Sequence, residues 1–175
     1  MSTTEQMGAA RIDHVVVPGT FDPVTLGHMD VISRTRKLFP RVTVAVAASV
    51  NKRGRGTAFT LEERVEMLRQ ALAEEGLSDV DVMPFTGLLV DFCHGIGALG
   101  VVKGLRAMTD FEYELQQADL NCHMAPDIES VFVMSNPKYG YVSSSIVREI
   151  SSMGSDVSSL VPPCVNQRLR EHYCA

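Results

Sequence analysis

No apolar run in this 175-residue chain approaches the roughly 20 residues that a membrane-spanning helix needs. Cations are in the minority, 16 lysines and arginines against 21 aspartates and glutamates. The net charge of −5 excludes the broad basic surface on which sequence-independent nucleic-acid binding depends. Any polyanion must therefore be met by a local cluster of donors. Cysteine is scarce and unpatterned: Cys93, Cys122, Cys164 and Cys174 form no C-x-x-C pair. Residues 1–11 are polar and lack the basic start and apolar stretch of a signal peptide, so they read as a flexible leader, and the thiols read as free in a cytoplasmic protein. Cys93-His94 and Cys122-His123 offer zinc ligands, but both pairs fall in predicted helices, where adjacent side chains diverge; packing or surface roles are the simpler reading. Also missing are a repeat of fixed period, a low-complexity tract, a dense acidic cluster that would hold a permanent metal, and any obvious Ser-His-Asp or Cys-His nucleophile system.

What the chain does have is alternation. Apolar content of 45% with 21% charged residues suits one soluble domain, 12–175, long enough to bury a core. Short, β-branched apolar runs at 12–17, 42–48, 80–83, 99–102 and 130–134 predict strands. Helical spacing marks 26–38, 61–75, 88–96, 111–123, 144–151 and 163–172. Such alternation implies right-handed crossovers and an α/β fold: a Rossmann-like open, mostly parallel five-stranded sheet with helices on both faces. Thr60-Leu61-Glu62-Glu63 and Thr109-Asp110-Phe111-Glu112 have the form of capping boxes and mark two helix starts.

In an open parallel sheet ligands bind beyond the carboxyl ends of the strands, so the segment after each strand is a candidate site wall. The first is Pro18-Gly19-Thr20-Phe21-Asp22-Pro23-Val24-Thr25-Leu26-Gly27-His28. Gly19 permits a close backbone approach, and His28 falls in the first turn of a helix, near the positive end of its dipole, a place to hold an anion. The others are the basic, glycine-rich loop Asn51-Lys52-Arg53-Gly54-Arg55-Gly56, then Thr86-Gly87-Leu88-Leu89, Lys103-Gly104-Leu105-Arg106, and the stretch from Tyr139 to Arg148. Basic or hydroxyl groups thus recur on one edge, whereas independent surface charges would fall on both. Each has a bland alternative: Thr20 supporting its turn, Lys52 or Lys103 and Arg106 merely solvated, serines capping a helix, Asp110 and Glu112 opposing a dipole. Arg53 and Arg55 read as solvated, and Asp22 and Pro23 as shaping the loop.

Thr25-Leu26-Gly27-His28 resembles the (H/T)xGH signature of the nucleotidylyltransferase superfamily, and Gly19-Thr20-Phe21-Asp22-Pro23 resembles the turn that precedes it. Thr at position 25 is typical of the bacterial phosphopantetheine adenylyltransferases, which the chain resembles over about 12–172. The resemblance implies transfer of the adenylyl group of ATP to 4′-phosphopantetheine, with Mg²⁺ arriving on ATP. It implies that His28 stabilises charge on the α-phosphate and that Thr20 reaches the acceptor phosphate while the backbone at Thr20-Phe21 touches ATP. Lys52 would bridge the reacting phosphates, and Lys103 would serve phosphopantetheine where many relatives carry arginine. Gly104, Leu105, Arg106 and Glu114 would line the ATP site. Tyr139-Gly140-Tyr141-Val142-Ser143-Ser144-Ser145 resembles the family's aromatic-x-aromatic-(I/V)-S-S-S segment; Ser143 and Ser144 would meet nucleotide and Ser145 would also cap the helix. Leu89 and Asn121 match positions at the pantetheine arm, Phe85 and Leu88 extend an apolar wall, and Gln117 stands where leucine is common. A homohexamer and feedback binding of coenzyme A are implied too, with neither nucleic acid nor membrane as partner. The rival readings are a superfamily enzyme with another acceptor and a non-catalytic nucleotide-binding regulator.

Overall fold

The computed structural model describes residues 11–48, 57–106 and 108–173, with backbone alone over 108–110. Residues 1–10 of the expected leader, Lys52, Arg53 and Arg55 of the basic loop, and Cys174 lie outside the described residues. The strands are β1 (His14–Gly19), β2 (Arg41–Ala47), β3 (Asp81–Phe85), β4 (Gly100–Leu105) and β5 (Glu129–Met134). Helices α1 (Leu26–Leu38), α2 (Leu61–Glu74), α3 (Leu89–Ile96), α4 (Met108–Met124), α5 (Ser144–Ser152) and α6 (Pro163–Tyr173) connect and follow them, with a 3₁₀ turn at Pro137–Tyr139 that the sequence pattern did not announce.

All strand pairs are parallel, in the order β3-β2-β1-β4-β5. The chain therefore builds outward from β1 in one direction and then returns to its other side, so the topological switch point falls between β1 and β4. Pairing makes the crevice physical. β1 stays with β2 from His14 to Gly19, but it pairs with β4 only at Val15 and Val16. Beyond Val16 the two central strands part, at their carboxyl ends, where such sheets bind ligands.

Side chains alternate along each strand, and the two faces bury different helices. Val15, Val17, Val44 and Val46 face a large cluster with Met29 and Ile32 of α1, Val65, Leu68 and Leu72 of α2, Val147 of α5 and Leu169 of α6. Val16, Ala45 and Val101 face a smaller one with Val90 and Cys93 of α3, closed by Ala125 and Ile128. Each fully buried valine is worth roughly 1.5–3 kcal/mol of transfer free energy, so these runs are continuous and β-branched because both faces are covered.

Two boundaries differ from the sequence pattern for reasons the packing supplies. β4 runs on through Lys103, Gly104 and Leu105, which read as a following loop because glycine is poor in strands. Gly104 is retained because α1 lies against it: a Cβ there would stand 2.6 Å from Val31 Cγ2. α4 begins at Met108, ahead of the Thr109 expected as its cap, so the box at Thr109 does not mark the start. The box at Thr60 does: Thr60 Oγ1 accepts from the Glu63 amide at 3.2 Å, and Glu63 Oε2 accepts from the Thr60 amide at 2.8 Å.

Candidate active site

The signature segment is itself a capping box with histidine in place of glutamate. Thr25 is the N-cap of α1, its Oγ1 accepting from the His28 amide at 3.4 Å, while the Thr25 amide donates to His28 Nδ1 at 3.0 Å. A backbone amide can only donate, so Nδ1 must be the unprotonated nitrogen and Nε2 carries the proton. His28 is thus fixed as a neutral donor. Desolvation, reinforced by the charge of Arg106, pushes its pKa down to about 4. Among the described residues nothing hydrogen-bonds Nε2. The Leu26 amide is already taken by the Leu160 carbonyl at 2.9 Å and the His28 amide by Thr25. At this helix end the dipole contributes potential, and Nε2–H contributes the hydrogen bond.

The turn before α1 is strained and buried. Phe21 has φ +48°, a left-handed value that costs a non-glycine residue free energy and marks functional turns, and the Asp22–Pro23 peptide is cis. The Phe21 ring packs edge-on against His28 with centroids 5.1 Å apart, and it folds back so closely that a Cβ on Gly19 would meet it at 2.8 Å. Gly19 is therefore needed for Phe21, and Phe21 backs the imidazole. Thr20 is half-buried on the same turn.

Across the crevice, Arg106 Nη1 donates to the Val142 carbonyl at 2.9 Å, joining the end of β4 to the 139–145 segment. The pieces lie within packing distance of one another: a Cβ on Gly27 would make ordinary contact with Tyr139 Cβ at 3.5 Å, and one on Gly140 would lie 3.9 Å from the Arg106 carbonyl. Tyr139 is half-buried against the main core, Val142 is buried and Tyr141 is 68% exposed. Ser143 caps α5, its Oγ accepting from the Ile146 amide at 3.2 Å, and Ser144 Oγ donates to the Pro23 carbonyl at 2.7 Å. This corrects the expectation for Ser145, which is exposed and leaves capping to Ser143. The serines thus dock α5 onto the Asp22–Pro23 turn.

Lys103 and Glu114 face each other at 3.1 Å between β4 and α4, both half-buried. The oxygen facing Lys103 is Oε2, which is inaccessible, so the ion pair joins β4 to α4 away from solvent. Leu89 starts α3 and packs on the smaller core with Phe85 and Phe92, whose rings are 5.2 Å apart, while Leu88 is exposed and Asn121 is buried on α4. Among the described residues no three His, Cys, Asp or Glu side chains assemble a metal site. Cys93 is buried, its thiol pushed up to about 11 by desolvation, and His94 instead pairs with Asp127 at 3.0 Å. The cysteine–histidine pairs therefore act separately.

Sequence reasoning passed over Arg64. It lies on the apolar stripe Leu61, Val65, Leu68, Leu72 of α2, and a cation on such a stripe was the available signal. It also passed over Asp30 and Arg34 of α1, which hold the Asn136 amide at 3.1 Å and the Met134 carbonyl, steering the chain into the 139–145 segment.

Comparison with known proteins agrees with this geometry. The cytidylyltransferase-like family model matches residues 16–150, from β1 to α5. A phosphopantetheine adenylyltransferase of Nocardioides sp. is 48% identical over 91% of this chain and 97% of its own length. That of Thermobifida fusca is 50% identical over 91% and 93%. Among solved structures, a bifunctional NMN adenylyltransferase/ADP ribose pyrophosphatase from Francisella tularensis, complexed with AMP and Mn ion, shares the fold with a TM-score of 0.70 at 15% identity. The match takes in 94% of this chain and spans half of that longer protein. With about half its residues shared along nearly the full length of such relatives, and with the signature histidine capped at the switch point of the sheet, the chain belongs to the cytidylyltransferase-like family and, within it, to the phosphopantetheine adenylyltransferases.

Proposed function

We propose that the protein transfers the adenylyl group of ATP to 4′-phosphopantetheine, giving dephospho-coenzyme A and pyrophosphate. The observation that carries this reading is His28, held neutral by the Thr25 amide with its proton on Nε2, at the crevice between β1 and β4. The acceptor phosphate already bears the nucleophilic oxygen, so no base is required. An oxygen of that phosphate bonds to the α-phosphorus in line as the bond to the bridging oxygen breaks, and pyrophosphate leaves with those electrons. No covalent enzyme intermediate forms. The work left to the protein is to align two polyanions and meet the charge that grows on the α-phosphate, which suits a fixed neutral donor better than a titrating one.

The remaining roles follow the elements. Thr20 and Lys52 bridge acceptor and α-phosphate, and the backbone of Thr20-Phe21 meets ATP. Arg106, with Gly104 and Leu105 at the end of β4, takes the leaving phosphates with Ser143, Ser144 and Ser145, while Tyr139, Gly140, Tyr141 and Val142 shape the nucleotide wall. Lys103 receives the acceptor, and Glu114, paired with Lys103 at 3.1 Å, receives a nucleotide hydroxyl. Leu89 and Asn121 line the pantetheine arm. The described residues offer no acidic cage, which fits a divalent cation, Mg²⁺, carried on the triphosphate and neutralising it there. Exposed Leu120 and Met124, one turn apart on α4, support self-association into the hexamer. Coenzyme A, which carries the same pantetheine arm, competes at the same wall as a feedback inhibitor. No described helix is long and apolar enough to cross a membrane, consistent with a cytoplasmic enzyme.

The test is pyrophosphate release from ATP with Mg²⁺ and phosphopantetheine, beside nicotinate mononucleotide and phosphocholine, with His28→Ala as control. Selective release with phosphopantetheine, reduced about 10²–10³-fold in the variant, is expected. Release with another acceptor would replace the substrate, and ATP binding with no release would favour a nucleotide-binding regulator.

A further inference from the structure

Two charged side chains that no step of this reaction uses are among the most buried in the molecule: Arg64 is 2% exposed and Asp22 3%. Core packing alone does not ask for them. A guanidinium buried on the apolar stripe of α2 is costly unless directed bonds and a counter-charge compensate. Its donors go to carbonyls from three different elements: Nη1 to Thr20 at 2.7 Å and to Ala47 at 2.9 Å, and Nε to Thr60 at 3.3 Å. Desolvation opposes the charge of Arg64, and Asp22 is the main group that offsets it.

Asp22 has its own set of partners. Oδ2 accepts from the Ala58 amide at 2.9 Å and Oδ1 from the Phe59 amide at 3.0 Å. Arg148 of α5 pairs with the carboxylate at 3.2 Å and also donates to the Asp22 carbonyl. Two side chains therefore tie together the turn after β1, the end of β2, the entry to α2 and the helix that follows the serines. Every one of those pieces carries or adjoins a residue assigned above to phosphate. Apolar contacts would hold the elements together as firmly, but only bonds aimed at the Thr20 carbonyl and its neighbours fix where the Thr20 hydroxyl stands.

We infer that Asp22 and Arg64 are positioning residues for adenylyl transfer, acting through Thr20 by fixing the backbone of the turn that presents it. The inference rests on the reaction proposed above. Because reaction rates are steep in alignment, a displacement of about 1 Å costs about 10²-fold.

Arg64→Met is the primary variant, since it keeps length and leaves Asp22 paired with Arg148; Arg64→Lys serves if Met does not fold, and Asp22→Asn probes the other side. Urea unfolding identifies a temperature at which each variant is folded, and kcat and KM for both substrates are measured there. The expected result is a fall in kcat of about 10–10²-fold with each KM within about threefold. The decisive step is a double-mutant cycle. If Arg64 acts through Thr20, its substitution has little further effect on kcat in a Thr20→Ala background. Wild-type kcat in the folded single variants, or losses that multiply unchanged in that background, would overturn the inference. Absence of wild-type turnover with phosphopantetheine would instead sink the reaction. The inference, which rests on that reaction, then falls with it.

Discussion

The Thr25 amide donates to His28 Nδ1 at 3.0 Å, and this one bond settles both the tautomer and the charge of the histidine. Protonating Nδ1 would break the bond, and the pKa is already pushed down to about 4 by desolvation and Arg106. The folded pKa lies below the ordinary 6.5, so the unfolded chain binds more protons between the two values. The contribution to stability is full above pH 6.5 and is lost as pH falls toward about 4, at roughly 1.4 kcal/mol per unit of separation. We expect ring ¹⁵N shifts of the ligand-free protein to show the Nε2–H tautomer from pH 5 to 8, with no midpoint near 6.5. An Nδ1–H signal, or titration near 6.5, would contradict the arrangement.

Thr25→Ala tests how far the backbone amide alone holds His28. It removes the hydroxyl, which accepts from the His28 amide at 3.4 Å and also lies 3.1 Å from His28 Nδ1, but keeps the Thr25 backbone amide that donates to Nδ1 at 3.0 Å. The expected outcome is a loss of about 0.5–2 kcal/mol in urea unfolding, the usual cost of an N-cap, with His28 still an Nε2–H donor by NMR. Turnover should fall far less than the about 10²–10³-fold of His28→Ala. Equal losses in the two variants would show that the hydroxyl, and not the amide, sets the histidine.

Gly104 makes a packing prediction independent of chemistry. An added Cβ would stand 2.6 Å from Val31 Cγ2, closer than carbon atoms approach, so Gly104→Ala must push α1 off β4. Overpacking of this kind costs about 1–3 kcal/mol. Val31→Ala in the same chain removes the clashing methyls, and the double variant should recover part of the loss despite its smaller core. A Gly104→Ala protein as stable as wild type would mean that the strand and helix are not so tightly apposed.

The parallel sheet was legible because strands covered on both faces are written as unbroken β-branched runs, as at Val15, Val16 and Val17. Strand order was not, since handed crossovers leave open which side of β1 receives β4; packing decides that, and with it the position of the crevice. His28 was readable as a first-turn residue, yet its bond to Thr25 was hidden because capping boxes are sought with glutamate in the third place. Ser145 was misread as a cap because three adjacent serines offer no local reason to choose among them, and the choice falls to Ser143 once Ser144 is committed to the Pro23 carbonyl. The facing of Lys103 and Glu114 joins a strand to a separate helix and leaves no periodic trace.

His14 gives a second pH prediction with the same sign from a different place. It is buried at the start of β1, with Nε2 2.8 Å from Thr43 Oγ1 of the neighbouring strand and Nδ1 without a partner among the described residues. Desolvation, then the charge of Arg41, lowers its pKa, against weaker opposition from the Ile96 carbonyl and from Asp81. The unfolded chain again takes up the proton first, so the folded state loses ground as pH falls below 6.5. Comparing urea unfolding of wild type with His14→Leu cancels the groups they share. Loss of the Thr43 contact sets an offset that is constant with pH, while the gap should move in favour of the variant as pH falls from 7 to 5. A gap that stays level, or moves toward wild type, would mean that His14 accepts its charge in the folded sheet.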